Sequence, residues 1–238
     1  PAAGGGGDLL IARYRSNGQP SWGYLFGGPE LDSAEGVAFD ADGNVYMNGW
    51  FRSTFDIDPG PGVTTVAPEP MGQPDAWNYL IAKFDSAGHF LHKTQLATGT
   101  ETLEGLAMGF DAANNLYVGG IYHGGIDLMD GPGDVLLPSN GNHYVAFVAK
   151  YDPLGTLLDY MALPASGSTS VLTDIVVEPD GSFVLAGLFG TAIDLDPSAN
   201  THYLTAGSSS CFYAKYSSSF DVEWGRTFGG TQGWDARV

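Results

Sequence analysis

Six aspartates fall in three short segments of one design. They are Asp56 and Asp58 in FDIDPGPG (55–62), Asp127 and Asp130 in IDLMDGPG (126–133), and Asp194 and Asp196 in IDLDPSAN (193–200). Carboxylates this close together are hard oxygen ligands. Ca²⁺ gathers about 6–8 oxygens at roughly 2.3–2.6 Å and often takes carbonyls from the same loop. In an extended segment Asp56 and Asp58 point the same way, because side chains alternate with period two. The pair can then share a cation, with carbonyls or water completing the shell. The same residues also suit a stiff turn: aspartate accepts backbone N–H groups, proline fixes φ and glycine admits positive φ. Neither reading requires a cofactor, and Ca²⁺ is the one that the first reading admits.

The other chemistry-bearing residues are less organised. DADGN (40–44) opens like an EF-hand loop but lacks the later ligand spacing and the glutamate at the twelfth position, so it reads as a hairpin turn. His89, His92, His123, His143 and His202 show no paired metal-binding spacing. Cys211 is the single cysteine; it cannot form an internal disulfide and reads as a small buried hydrophobe. A glycosidase needs two carboxylates about 5–10 Å apart across a cleft. Glu30, Asp32 and Glu35 lie in one connection and Glu101 and Glu104 in another, and both groups read as solvated loops. No catalytic residue is singled out. Trp50 and Trp77 stand at positions that do not recur, beside the connections, and are the candidate ligand-binding residues. Trp22 and Trp224 occupy equivalent positions and read as packing residues.

These residues are positioned by a repeat. LIARYRSNG (10–18), LIAKFDSAG (80–88), FVAKYDPLG (147–155) and FYAKYSSSF (212–220) align, with a basic residue at Arg13, Lys83, Lys150 and Lys215. Between them lie EGVAFDADGNVYMNGW (35–50), EGLAMGFDAANNLYVGGIY (104–122) and TDIVVEPDGSFVLAGLF (173–189). Each copy reads as four strands: a (GVAFD), b (NVYMNGWF), c (LIAKFD) and d (FLHKTQLA), joined by Asp/Gly turns. Helical periodicity bounded by caps is missing throughout. Repeated four-stranded antiparallel units predict an all-β fold, a β-propeller of about three and a half blades. The expected blades are a half blade at 8–28 and full blades at about 35–98, 104–164 and 172–230, in a single domain that is part of a larger ring. The expected core is Val37, Ala38, Val45, Tyr46, Ile81 and Phe84, then Leu106, Leu116, Tyr117, Val148 and Tyr151, then Ile175, Val176, Phe183, Val184, Tyr213 and Tyr216. Each repeated basic residue is expected to pair with a carboxylate from an Asp-containing turn.

Composition narrows the partners. Acidic residues outnumber basic ones 27 to 9 over 238 residues, a formal charge of −18. Such a surface repels phosphate backbones and anionic lipid, which argues against nucleic acid as a partner. Thirty-five glycines, about twice ordinary usage, fit many short strands and tight turns. No run reaches the roughly 18 apolar residues of a membrane helix, so direct membrane insertion is not expected. The first residue is Pro1, which reads as a processed or trimmed end.

The segments IAKFDSAG (81–88), WGYLFGG (22–28), WGRTFGG (224–230) and GVAFDADGNVYMNG (36–49) together resemble the SBBP repeat of secreted bacterial β-propellers, as found in surface proteins of Bacteroidota-type bacteria. The resemblance implies an extracellular or cell-surface location and no single activity. The expected function is a non-catalytic module for binding, adhesion or assembly. Its expected partner is a protein or glycan at the cell surface, with other domains of a longer chain alongside. The alternative is a carbohydrate-binding or carbohydrate-cleaving module.

Overall fold

A computed structural model describes residues 6–69, 77–98, 103–130, 133–198, 200–206 and 209–228. The closing GGTQGWDARV segment, Trp234 and Glu101 lie outside these residues, as do the side chains of Glu104 and Leu106. Among the described residues the secondary structure is all strand. The strands are β1 (Leu9–Tyr14), β2 (Pro20–Phe26), β3 (Ser33–Phe39), β4 (Val45–Phe51), β5 (Phe55–Asp56), β6 (Thr65–Val66), β7 (Asn78–Phe84) and β8 (Phe90–Thr98). They continue with β9 (Leu103–Phe110), β10 (Leu116–Tyr122), β11 (Ile126–Asp127), β12 (Leu136–Leu137), β13 (Val145–Tyr151) and β14 (Leu157–Leu163). The last are β15 (Ser170–Val177), β16 (Phe183–Phe189), β17 (Ala192–Asp194), β18 (Tyr203–Thr205), β19 (Ser210–Tyr216) and β20 (Val222–Phe228).

Strands a to d of each full copy follow one another as an antiparallel meander: β3-β4-β7-β8, β9-β10-β13-β14 and β15-β16-β19-β20. The hairpin β1-β2 carries the c and d sequences. Local chemistry explains the turns. Asp40 Oδ1 accepts the N–H of Asp42 and of Asn44, and Gly43 takes φ +78°. Asp111 does the same for Ala113 and Asn115. In the c–d turns Asp85 and Asp152 each accept two N–H groups, and Ser217 Oγ takes that role in the third copy. Every c–d ladder shifts register directly after the repeated basic residue, at Arg13, Lys83, Lys150 and Lys215.

The propeller expectation is overturned, and the likeness to the secreted bacterial propeller repeat goes with it. A propeller needs equal blades arranged radially. Among the described residues the sheets hold six, four, four, two, two and two strands, and none is closed or curled. The inequality comes from the segments after strand b. In the first and third copies they form separate ladders, β5-β6 and β17-β18, whereas β11 and β12 extend the sheet that runs β12-β11-β8-β7-β4-β3.

The chain divides into two compact units, residues 1–101 with 127–134, and residues 102–126 with 135–238. In the first unit the inner face of β1-β2 (Leu9, Ile11, Phe26) packs on Val45, Met47 and Phe51 of β4 and on Leu80, Ala82 and Phe84 of β7. Phe26 stacks on Phe84, with centroids 5.9 Å apart. In the second unit Ala146, Val148, Met161 and Leu163 of β13-β14 pack with Phe183, Leu185, Phe212, Ala214 and Tyr216 of β16 and β19. Of the expected core, Val37 and Val176 are exposed instead. Both lie on a strand a, outermost in its sheet, where packing from one flank is missing: Val37 faces water although Met47, its partner in β4, is buried. Ala38, Val184 and Tyr213 are half-buried, and the other expected core side chains that are described are buried.

Candidate functional site

The aspartate segments begin as short strands, β5, β11 and β17, and bury one side. Phe55 and Ile57 sit in the first core, and Ile193 and Leu195 in the second. The alternating aspartates therefore face away from the core, on a common side, as their spacing predicts. There they organise turns. Asp56 Oδ1 accepts the N–H of Asp58 at 3.1 Å and of Thr64 at 2.8 Å; Asp194 Oδ1 accepts those of Asp196 at 3.1 Å and His202 at 2.8 Å. Asp58 accepts from Gly60, and Asp196 from Ser198. A side chain at Gly62 would collide with Asp58 Oδ2. Bonds from Ser198 hold Asp196 below the usual carboxylate range.

In the second copy Asp127 Oδ1 accepts the N–H of Met129. The inserted Met129 displaces the next acid, and Asp130 pairs with Lys93 at 2.6 Å. Among the described residues no three His, Cys, Asp or Glu side chains gather as a metal cluster. In the third copy Tyr216 in β19 donates its hydroxyl to the carbonyl of Leu195, tying the turn to the sheet, and burial pushes that hydroxyl's pKa up.

The repeated cations meet the acids that end strand a. Lys83 lies 3.4 Å from Asp40, Lys150 3.6 Å from Asp111 and Lys215 3.2 Å from Glu178. Arg13 donates instead to the carbonyls of Gly43 and Ser86. The first two pairs are nearly dry, and the third is more exposed. Glu178 is held below its ordinary value by bonds from Ser182 and then Lys215.

Asp32 departs from the sequence reading. It is buried, and it accepts the N–H of Gly28 and of Arg52 and the hydroxyl of Ser53. It therefore knots the loop before β3 to the end of β4. The only sequence signal is its place between Leu31 and Ser33 in an otherwise open loop. Glu35 is exposed as expected, but in strand β3 rather than in a loop, and it accepts the Tyr79 hydroxyl at 3.2 Å. Cys211 is half-buried rather than buried. His89 is exposed on Asp85.

Trp50 and Trp77 are brought together. Their ring centroids lie 4.5 Å apart and their planes differ by 18°. Trp50 is the penultimate residue of β4, and Trp77 immediately precedes β7, so the stack closes the neck of residues 52–77. Both rings are half-buried. Thr98 Oγ1 donates to the Trp77 carbonyl at 2.7 Å, and Asn78 next to it is buried, accepting from Gln95 and the Glu69 N–H. The equivalent neck in the second copy is closed by His123 and Tyr144, centroids 5.4 Å apart. Trp22 packs against the first core, stacking on Tyr24 at 5.4 Å, whereas its counterpart Trp224 is half-buried and outside the second core. The chain matches no protein-family model and no curated protein.

Proposed function

We propose that the chain is a non-catalytic binding scaffold working outside the cell or at its surface, with the Trp50–Trp77 pair as its recognition point. The observation that carries the reading is the half-exposed stack itself. Two large aromatic rings at non-recurring positions remain accessible on a framework whose other aromatics are mostly packed. Tryptophan gives a partner much apolar area at little entropic cost, and it is enriched where binding energy concentrates. The repeated acids support the non-catalytic half of the proposal. Asp40, Asp56, Asp111 and Asp194 accept turn N–H groups, and Lys83 and Lys150 neutralise two of the four.

One observation favours a glycan over a peptide as partner. Glu35 is exposed, its carboxylate accepts the Tyr79 hydroxyl, and Tyr79 in β7 pairs with Trp50 of β4. An aromatic face with a fixed acceptor next to it suits a sugar, which stacks its C–H face and donates hydroxyls. A glycan array probed with the wild type and with Trp50→Ala tests this. Binding that falls at least tenfold in the variant supports the glycan reading. Binding unchanged by both Trp50→Ala and Trp77→Ala removes the pair from the site. Turnover of a polysaccharide, abolished by a single carboxylate substitution, would end the non-catalytic reading.

A further inference from the structure

Two hairpins expose faces that are buried everywhere else the repeat occurs. Aligning the c strands makes Leu10, Ala12 and Tyr14 equivalent to Leu80, Ala82 and Phe84, to Phe147, Ala149 and Tyr151, and to Phe212, Ala214 and Tyr216. In the last three copies these nine side chains are buried. In β1 the same positions face water, with Leu10 63% and Tyr14 65% exposed, and Leu25, paired with Leu10 across the hairpin, is 41% exposed. Ala12 and Gly23 lie between them, so this face of β1-β2 carries no charge.

The opposite side of the hairpin is the covering side. Ile11 and Phe26 cover Phe84 in the first unit, and their equivalents Val148 and Leu163 pack with Tyr216 in the second. On β19-β20 the covering side carries Cys211, Tyr213 and Lys215 of β19 and Trp224, Arg226 and Phe228 of β20. Phe228 is 59% exposed, Tyr213 packs edge-on to it at 5.5 Å, and Trp224 is half-buried. The molecule thus presents one uncovered face of the covered type and one unused face of the covering type.

We propose that these faces bind each other between molecules: the β19-β20 face of one copy docks on the β1-β2 face of a second copy. The occupant is identified by packing that the chain makes twice within itself, once in each unit, with residues of the same kind at the same register. The two faces differ, so the contact is heterologous, and successive copies close into a ring or extend as a chain. Contiguous exposed apolar surface of this kind marks an interaction site. The inference goes beyond the tryptophan site and does not depend on it.

Sedimentation of the full chain across a wide concentration range tests the proposal, together with Leu10→Lys and Phe228→Lys. Both residues are already exposed, so the fold should persist, which thermal unfolding checks. The new lysines reduce the negative charge of an acidic chain, so a loss of association cannot come from added net repulsion. The wild type is expected to grow in mean mass with concentration. Each variant alone should keep the mass of one chain, while an equimolar mixture forms a complex of two. A wild type that stays a single chain at the highest concentration overturns the proposal, as does association that both variants leave intact. Should either lysine variant unfold, Tyr14→Gln and Thr227→Lys replace them: Tyr14→Gln, on the uncovered face of β1, must weaken association, and Thr227→Lys, on the side of β20 away from the contact, must not.

Discussion

Lys83 holds its ammonium 3.4 Å from Asp40 and 4.9 Å above the ring of Tyr46, and Lys150 repeats both contacts with Asp111 at 3.6 Å and Tyr117 at 4.8 Å. The same charge is therefore neutralised in the same way in both copies. The ring beneath each ammonium adds attraction from its negative face.

The first prediction concerns this pair. Lys83 and Asp40 are both almost fully buried, so Lys83→Met leaves a buried carboxylate whose remaining partners are the turn donors. Removing one member of such a pair costs about 3 kcal/mol or more. Lys215→Met should cost clearly less, because Glu178 stands in water. Urea unfolding of the two variants measures the difference. Equal losses would show that burial of the pair is not what sets its contribution.

Two glycines at the same c–d turn position separate strain from crowding. Gly18 has φ +79° with open space where a Cβ would stand, whereas Gly88 has φ +93° and a Cβ there would meet the Trp22 ring at 2.9 Å. Gly18→Ala should cost about 1 kcal/mol, the left-handed penalty alone. Gly88→Ala should cost more, because Trp22 must also move off its stack with Tyr24. Tryptophan fluorescence should shift for Gly88→Ala and stay unchanged for Gly18→Ala.

The acid limb of stability should carry the Glu178 signature. Bonds from Ser182 and Lys215 depress the Glu178 pKa from its ordinary 4.5, and bonds from Ser182 depress Asp180 from 3.8. A carboxylate with a lowered folded pKa stabilises fully above its unfolded value, and the gain is lost as pH falls through the folded one. Lys215 is raised above 10.5 by the same pair, so its share is complete below that value and lost as pH rises through the folded one. Melting curves of wild type and Glu178→Gln should differ across the plateau between these limits and converge at strongly acidic pH. A gap of the same size at neutral and at strongly acidic pH contradicts the assignment.

Calcium discriminates between the two uses of the aspartate segments. Asp56 already accepts two N–H groups, so Asp56→Ala should cost about 1–2 kcal/mol through unmet turn donors. The melting temperature should be the same in EDTA and in millimolar Ca²⁺. A ligand bound only to the folded state raises it by an amount set by RT ln(1+[L]/Kd). A calcium-dependent rise that disappears in an Asp56/Asp58 double variant would turn the turns into metal sites.

Much of this structure is legible in the sequence because the chain states its pattern several times. Recurrence of the Lys83 motif locates every c strand, and the Asp/Gly turns locate the hairpins. The lysine–acid pairs follow from counting one cation per copy. Sheet composition is not legible. β5, β11 and β17 are strands of two or three residues within segments that read as turns, and whether such a ladder stands apart or joins a neighbour depends on distant packing. Val37 reads as core because its residue type favours burial, while the strand's outermost place in the sheet decides otherwise. Trp50 and Trp77 are each conspicuous, but nothing local to either residue says that a neck brings them together.

That neck has a consequence for the history of such a chain. Residues 52–77, 123–144 and 190–209 span the same gap between strands b and c with progressively less chain, yet the flanking ladders keep an unbroken seven-residue register in all three copies. Closing a longer loop costs only about 0.6 kcal/mol per doubling of its length. Descendants can therefore lengthen, trim or replace these excursions while the meander beneath stays the same, and an engineer can splice a foreign epitope between Gly60 and Val63 on the same terms.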